Sequence, residues 1–421
     1  MKRLSFNRHS FSALLLLFLA GVLQSCSQPG IVRDPTPLVK MSSPYALHKD
    51  WQIQLDKFKY SDSEGLYFAE NDKAIFFANP DGVLTSALKA NQSRWTDQVN
   101  WQRKFNEPIL SGPTIYQSNL IIGTAKGSLL SVSQASGAIQ WRAELSSEVL
   151  SLPVIENGQI FVRTVDGKLY SVNAGTGKIN WTVDHQLPNL SLRGIAPVTY
   201  SDGTLYVGWE SGSVQALDAK TGQTKWQTQL LVPKGRTDLE RMVDIQSELV
   251  LKAGRLYVLG YHGKLAALNP ENGNLYWAKD VSGFRDFLVD GKAVYLSDEN
   301  DILHAYDLYT GTEIWKQEHL KYRRLTDLSF YNNNQILVAD GYGVVHWIDK
   351  LDGTIVARAR HSAADSVRSK LVRVWFDHKR LYLQDTGGYI TAYNVVPSDW
   401  YEFNRPNDPM GIMKTSHKES H

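Results

Sequence analysis

An all-β ring, an eight-bladed β-propeller of four-stranded antiparallel blades, is the fold class this sequence predicts, and three features predict it. First, a glycine is followed four residues later by tryptophan at Gly137–Trp141, Gly177–Trp181, Gly222–Trp226, Gly273–Trp277 and Gly311–Trp315, and a further copy, Gly353–Ala357, has lost the indole. Second, a tight turn opens a short strand at Gly82, Gly127, Gly167, Gly212, Gly263, Asp301, Gly343 and Gly388, which makes eight marks. Third, the residues between marks alternate with strand period: Leu169, Ser171 and Asn173 fall on one face, Tyr170 and Val172 on the other. Units of roughly 44 residues holding four short strands read as propeller blades.

The first element is a leader. Lys2, Arg3 and Arg8 precede an apolar run from Phe11 to Leu23, and Ser25-Cys26 follows. A basic start, a short apolar stretch and a small residue before the cut make residues 1–25 a secretory signal. The run falls short of the about 20 apolar residues that a permanent span needs. Cys26 is the single cysteine. Residues 26–43, rich in Pro, Ser and polar side chains, read as a flexible tether.

The ring is expected over residues 44–396. Its last unit runs into Pro397 without a Thr-Gly-x-x-x-Trp, so its fourth strand must come from elsewhere. Asp50-Trp51-Gln52 has the form of Asn100-Trp101-Gln102, which predicts that the N-terminal strand completes the last blade and closes the ring. Closure removes the free sheet edges. The blade tryptophans Trp51, Trp101, Trp141, Trp181, Trp226, Trp277 and Trp315 are then structural, each packing on the turn of a neighbouring blade. Residues 397–421 are polar apart from Trp400 and Tyr401 near their start, and read as an extension of no assigned role.

Composition excludes several functions. Lys+Arg 45 against Asp+Glu 43 becomes 42 against 43 once Lys2, Arg3 and Arg8 leave with the signal. That balance is wrong for nucleic acid, which asks for a clustered basic excess. No disulfide is available after Cys26. His304 and His346 occupy the same slot in adjacent units, but two histidines without a third ligand do not define a metal site. Asp301, Asp307 and Asp349 sit in strand–turn slots and are explained by turn chemistry. Ala174-Gly175-Thr176-Gly177-Lys178 lacks phosphate-loop spacing and is the repeat turn. Lys321, Arg323 and Arg324 read as a solvated basic face. No nucleophile–base pair stands out. The sequence is read as non-catalytic, with no cofactor and no metal.

The Thr-Gly-x-x-x-Trp repeats resemble those of quinoprotein-type propellers. Leu23-Gln24-Ser25-Cys26 resembles the bacterial lipobox, with Gln24 the less usual occupant of its slot. Together with Leu190-Ser191-Leu192-Arg193-Gly194, Asp286-Phe287-Leu288-Val289-Asp290-Gly291 and Gly343-Val344-Val345-His346-Trp347-Ile348, they make the chain similar to the BamB family of outer-membrane assembly lipoproteins. The resemblance covers about Trp51 to Val395. It implies lipidation at Cys26, sorting to the periplasmic face of the outer membrane (Ser27 in place of aspartate), and binding to the periplasmic POTRA domains of BamA beside other Bam subunits. The implied contact residues are Leu190, Leu192, Arg193 and, in the connection between the fourth and fifth units, Asp244. The second acidic position of that connection holds Gln246, which weakens this half of the contact or shifts it to Asp238 and Glu240. From Gly212 to Gly263 is 51 residues, and the excess lies around Leu230 to Asp244. A loop of that length in a compact scaffold is commonly functional. Two rival readings are a pyrroloquinoline-quinone-dependent dehydrogenase, which would bring calcium and a vicinal cysteine pair this chain cannot form, and a general periplasmic scaffold adding peptide strands to its edges.

Overall fold

The computed structural model describes residues 33–54, 67–89, 99–192, 195–361, 370–377 and 379–399. The chain divides into two units, Met1–Pro35 and Thr36–His421. The second unit is an eight-bladed β-propeller. Residues 1–25, expected as a leader, Cys26, Arg193 and the residues from Trp400 onward lie outside the described residues.

Each blade is a four-stranded antiparallel meander. Blades 1 to 7 take their strands in chain order, over residues 68–104, 109–144, 154–184, 199–229, 250–280, 288–317 and 329–360. Blade 8 is built from Leu371–Phe376, Leu381–Asp385, Tyr389–Pro397 and the N-terminal strand Tyr45–Gln54. That last strand pairs from Tyr45 opposite Pro397 to Gln54 opposite Tyr389, so the ring closes through the two ends of the domain as the sequence predicted. Arg380 Nε meets Asp50 Oδ2 at 2.6 Å beside the register shift at Asp50. The first strands of successive blades neighbour one another around the axis, and the cores lie between blades. Phe76, Leu84, Leu120 and Leu130, for example, form one cluster across blades 1 and 2.

The turn that closes each blade shows why the repeat has its residues. Asn173 Oδ1 accepts the backbone N–H of Gly175 and of Thr176, and Asp218 and Asp307 do the same two and three residues on. The glycine that follows has positive φ, 74° at Gly177, which only glycine adopts without strain. Its face is not empty. A methyl at Gly177 would come within 2.6 Å of Trp141 Cε3, and from Gly137 to Gly353 the corresponding approaches to the preceding blade's indole are 2.5–2.9 Å. The same indoles donate Nε1–H to the next blade's turn: Trp101 to Gln134 O at 2.8 Å, Trp141 to Ala174 O at 3.1 Å, Trp315 to Lys350 O at 2.9 Å. The glycine therefore serves the tryptophan of the blade before it. Trp277 and Trp315 are buried, whereas Trp101, Trp141, Trp181 and Trp226 keep one edge in solvent.

Opposite each blade tryptophan stands a small residue: Ser86 to Trp101, Ser131 to Trp141, Ser171 to Trp181, Ala216 to Trp226, Ala267 to Trp277, Ala305 to Trp315, Ala392 to Trp51. In blade 7 the pair is inverted, with Trp347 opposite Ala357. Trp347 is fully buried and its ring lies 5.5 Å from that of Tyr45. The indole missing at Ala357 has moved across the strand pair to meet the N-terminal strand of blade 8.

Three sequence expectations need correction. Arg323 is not part of a solvated face. It is buried, pairs with Asp340 at 2.7 Å and donates to Thr36 O. Asp301 does more than make a turn, because its carboxylate accepts the N–H groups of Arg324 and Leu325 and meets Arg285 at 3.2 Å. Residues 36–43, expected within the flexible tether, are held on blades 6 and 7: Thr36 N–H donates to Lys321 O, and Arg358 donates to Val39 O.

The stacked glycine–indole contact gives the first prediction. Gly177→Ala should destabilise by about 2–3 kcal/mol through overpacking at positive φ, and Trp141→Ala by roughly 2–4 kcal/mol. In the double variant the methyl no longer meets a ring, so the combined loss should fall short of the sum by about 1 kcal/mol or more. Urea denaturation followed by circular dichroism reads this, and additive losses would remove the stacking account.

Candidate functional site

The repeat is interrupted where blades 3, 4 and 5 are joined. Residues 185–198 link blade 3 to blade 4, and residues 230–249 link blade 4 to blade 5. Both connections lie over the tight turns that open the third strands. Leu187 packs at Gly167, and Leu231 packs against Gly212, Gly260 and Gly263.

Beneath them is a buried ion pair. Arg163 Nη2 bonds both carboxylate oxygens of Glu210, at 2.6 and 2.8 Å, and its Nη1 donates to Gly208 O at 2.8 Å. The guanidinium also lies 4.5 Å from the centre of the Trp209 ring, on which His185 stacks at 4.2 Å. A buried pair of this kind fixes geometry, since breaking it strands a buried charge. Arg163 ends its strand where the other blades have Ala78, Gly123, Gly208, Leu259, Ser297, Ala339 and Gln384. No motif in the sequence points to Arg163, although a charge in that slot when the repeats are aligned is the signal that marks it.

Asp244 joins the two connections. Its Oδ2 accepts the backbone N–H of Leu192 at 3.0 Å, and its own backbone bridges Tyr261. The structure thus brings together Leu192 and Asp244, which the sequence placed in separate halves of one contact. It places them differently. Asp244 is 1% exposed, so its carboxylate holds the Leu192 segment from within and does not face solvent. Burial first, and then the nearby Glu210 charge, push the Asp244 carboxyl up to about 8. Its Oδ1 has no hydrogen-bond partner.

Leu192 is half-buried and Leu190 is 46% exposed; neither is in a strand. A cleft of about 430 Å³ runs between the connections, lined by Leu187, Leu190, Glu210, Asp238, Arg241 and Met242 among others. Val232 and Leu239 on the longer connection are also exposed, at 62% and 64%. Exposed apolar side chains bordering a cleft mark interaction surfaces more often than scattered single ones do. Asp238 and Arg241 pair with each other at 2.6 Å, and Glu240 accepts the N–H groups of Arg236 and Thr237, so the acidic neighbours brace the loop.

The remaining candidates are structural. Asp307 caps its turn, and Asp349 does likewise through Leu351 N–H. His346 Nε2 lies 3.0 Å from Asp340 Oδ2, and His304 Nδ1 lies 3.1 Å from Glu313 Oε2. Among the described residues no group of three or more His, Cys, Asp or Glu side chains could hold a metal ion. Asp286, in a motif that carried the family resemblance, accepts Glu248 N–H at 2.7 Å, while Asp327 accepts Asp286 N–H at 3.2 Å. These carboxylates tie together the starts of successive blades.

Comparison with known proteins bears on these features. The family model described as outer membrane protein assembly factor BamB matches residues 81–317. The assembly factor BamB of Escherichia coli K12 is 32% identical over 389 residues, which cover 91% of this chain and 97% of that protein. BamB of Kangiella koreensis is 36% identical over 344 residues, covering 82% and 87%. Among solved structures, BamB from Moraxella catarrhalis is similar with a TM-score of 0.72 at 26% identity, over 83% of this chain and 99% of that one. Quinohemoprotein alcohol dehydrogenase from Comamonas testosteroni has a TM-score of 0.62 at 12% identity, over 81% and 78%, which is a likeness of fold alone.

The buried Asp244 carboxyl predicts a pH dependence. Its value in the fold, about 8, is above the 3.8 of an exposed carboxyl, so between these limits the folded chain holds a proton that the unfolded chain has lost. Stability should therefore fall as pH rises from about 4 to about 8 and level off beyond, with a slope of at most roughly 1.4 kcal/mol per pH unit from this group. Asp244→Asn should flatten that part of the profile. Parallel profiles for the two proteins in urea titrations would show that Asp244 is not the group.

Proposed function

The chain belongs to the BamB family of outer membrane protein assembly factors, and on that premise we propose that it is a non-catalytic scaffold that binds the periplasmic POTRA domains of BamA. The observation that carries this reading is the exposure of Leu190 at the mouth of the 430 Å³ cleft, on a segment anchored from below by Asp244. Interfaces draw their affinity from a few anchors set on rigid supports. Leu190 supplies an apolar anchor, Leu192 seats its segment, and Arg193, outside the described residues, adds a guanidinium of the kind enriched at hot spots. Asp244 acts through Leu192 as a positioning residue.

A scaffold role fits the rest of the chemistry. Asp307, Asp340, His346 and Asp286 are engaged in turns, ion pairs and blade-to-blade bonds, and function on such a fold lies in a site, not in the repeat. The relatives are named as assembly factors and not as enzymes. We assign membrane attachment to lipidation of Cys26, which places the ring on the periplasmic face of the outer membrane.

Leu190→Ser should weaken binding to the purified periplasmic part of BamA about tenfold or more without lowering the melting temperature. Leu351→Ser, at a site 84% exposed in blade 7, serves as control and should bind normally. Equal affinity of both variants and the parent in calorimetry would overturn the docking site. Cys26→Ser should move the mature protein from the outer-membrane fraction to the soluble periplasmic fraction, and unchanged fractionation would overturn the anchor.

A further inference from the structure

The Leu190 cleft lies at the end of the ring formed by the connections between blades and the turns that open the third strands, and a basic surface occupies the same end on blade 7. There the connection over residues 318–328 lies on the turn over residues 340–343. Gly341 N–H donates to Arg323 O and to Arg324 O, both at 3.0 Å, and Arg360 Nη1 donates to Tyr342 O at 3.3 Å. Lys321 Nζ stands 5.1 Å from the centre of the Tyr322 ring, and Tyr342, 40% exposed, packs on the Arg323 guanidinium at 4.9 Å. Lys321, Tyr322, Arg324, Tyr342 and Arg360 are thereby gathered on one surface.

The acids of this surface are matched and its cations are not. Asp340 pairs with Arg323 and Asp301 with Arg285, both carboxylates buried, and Glu318 pairs with Lys316 at 2.8 Å. Glu299 is exposed and accepts Oγ–H of Ser282, on the connection between blades 5 and 6. Among the described residues Lys321, Arg324 and Arg360 make no ion pair. The loop also fixes their directions. Tyr322 and Arg324 have φ of 59° and 57°, a left-handed backbone uncommon for such residues. It is kept because Tyr322 N–H donates to Asn300 O, while Arg324 N–H and Leu325 N–H donate to the buried Asp301 carboxylate. Conformations of this kind concentrate at functional sites. The path of the chain says what faces them. Thr36 is bonded here on both sides, its N–H to Lys321 O and its O to Arg323 Nη1. Nine residues, 27–35, separate it from Cys26, and so short a segment spans at most about 35 Å whatever its conformation.

We propose that the surface formed by Lys321, Tyr322, Arg324, Tyr342 and Arg360 docks on the anionic phospholipid headgroups of the leaflet that holds the acylated Cys26. The inference rests on lipidation of Cys26 and adds a second contact to it. Cations are drawn to a negatively charged leaflet within a Debye length of it, and tyrosine settles at the boundary between headgroups and acyl chains. Three cations alone make a weak, reversible contact. The anchor makes that contact local, because a short tether raises the effective concentration of headgroups at the surface. The docked ring meets the leaflet with its blade 7 rim and leaves the Leu190 cleft, across the ring on blades 3 to 5, open to protein.

The test uses the mature Cys26→Ser chain, so that binding reads the surface without the anchor. At low salt it should float with vesicles containing phosphatidylglycerol, stay behind with vesicles of phosphatidylcholine alone, and be released by added salt. Lys321→Gln, Arg324→Asn and Arg360→Gln together should weaken flotation about tenfold or more with the melting curve unchanged, since asparagine tolerates the left-handed backbone at 324. Lys178→Gln, Lys220→Gln and Lys252→Gln, exposed at the opposite end, remove the same charge and should float like the parent. Equal flotation on both lipids, flotation on neither, or equal weakening in the two triple variants would overturn the proposal. A loss of affinity for the periplasmic part of BamA in the first triple variant, without any lipid dependence, would make the surface a protein contact and refute it. The acyl anchor is absent throughout, so these outcomes are independent of the Cys26 fractionation that tests lipidation.

Discussion

One contact recurs from blade to blade and the ring depends on it: the indole of one blade lies flat on the turn glycine of the next and hands its N–H to a carbonyl of the same turn. The contact joins two requirements in one place. The turn needs positive φ, which glycine meets at no steric cost, and the indole needs a surface without a Cβ, which only glycine provides. A tryptophan that finds both an apolar floor and an acceptor is satisfied at an otherwise exposed rim. That is why half-buried tryptophans suffice in blades 1 to 4. Each blade thereby fixes the position of its neighbour.

Closure itself follows a different rule. Blade 8 has no turn of the repeat type to offer blade 7, because its fourth strand arrives from the N-terminus. An indole at position 357 would have nothing to lie on. The pair is therefore inverted, and Trp347 reaches the incoming strand at Tyr45 from the other side of the sheet. Arg323 and Arg358 then hold residues 36–43 along blades 6 and 7. The lost tryptophan, which looks like decay of the repeat, is the local adjustment that a ring closed by its own ends requires.

The fold was legible because blade architecture is local and periodic. Trp181 and Gly177 announce a blade, and Asp50-Trp51 announces the closing strand, from spacing alone. The reach of particular side chains was not legible. Arg323 reads as one of three surface cations, yet Asp340 from the next hairpin buries it, and no sequence pattern reports a partner 17 residues away in the chain. Asp244 reads as a surface acid for a partner, yet it bonds Leu192 across 52 residues. Leu190 is the opposite case. An L-x-L pattern suggests strand core, but the segment leaves the strand before it and exposes the side chain.

These differences explain where a propeller can place a binding site. Within a blade every position is fixed by its copies in the other blades, and a change propagates to the neighbouring indole. The connections between blades carry no such obligation. They are free to lengthen, as between blades 4 and 5, provided something rigid lies beneath. Arg163 with Glu210 provides that floor under the Leu190 cleft, in a slot that the other blades fill with uncharged residues. There charge departs from the repeat in the buried layer, and that layer holds the surface above it still. The sites of this ring are therefore found by looking for charged residues beneath its connections, and the tryptophans mark the scaffold that lets those residues differ from blade to blade.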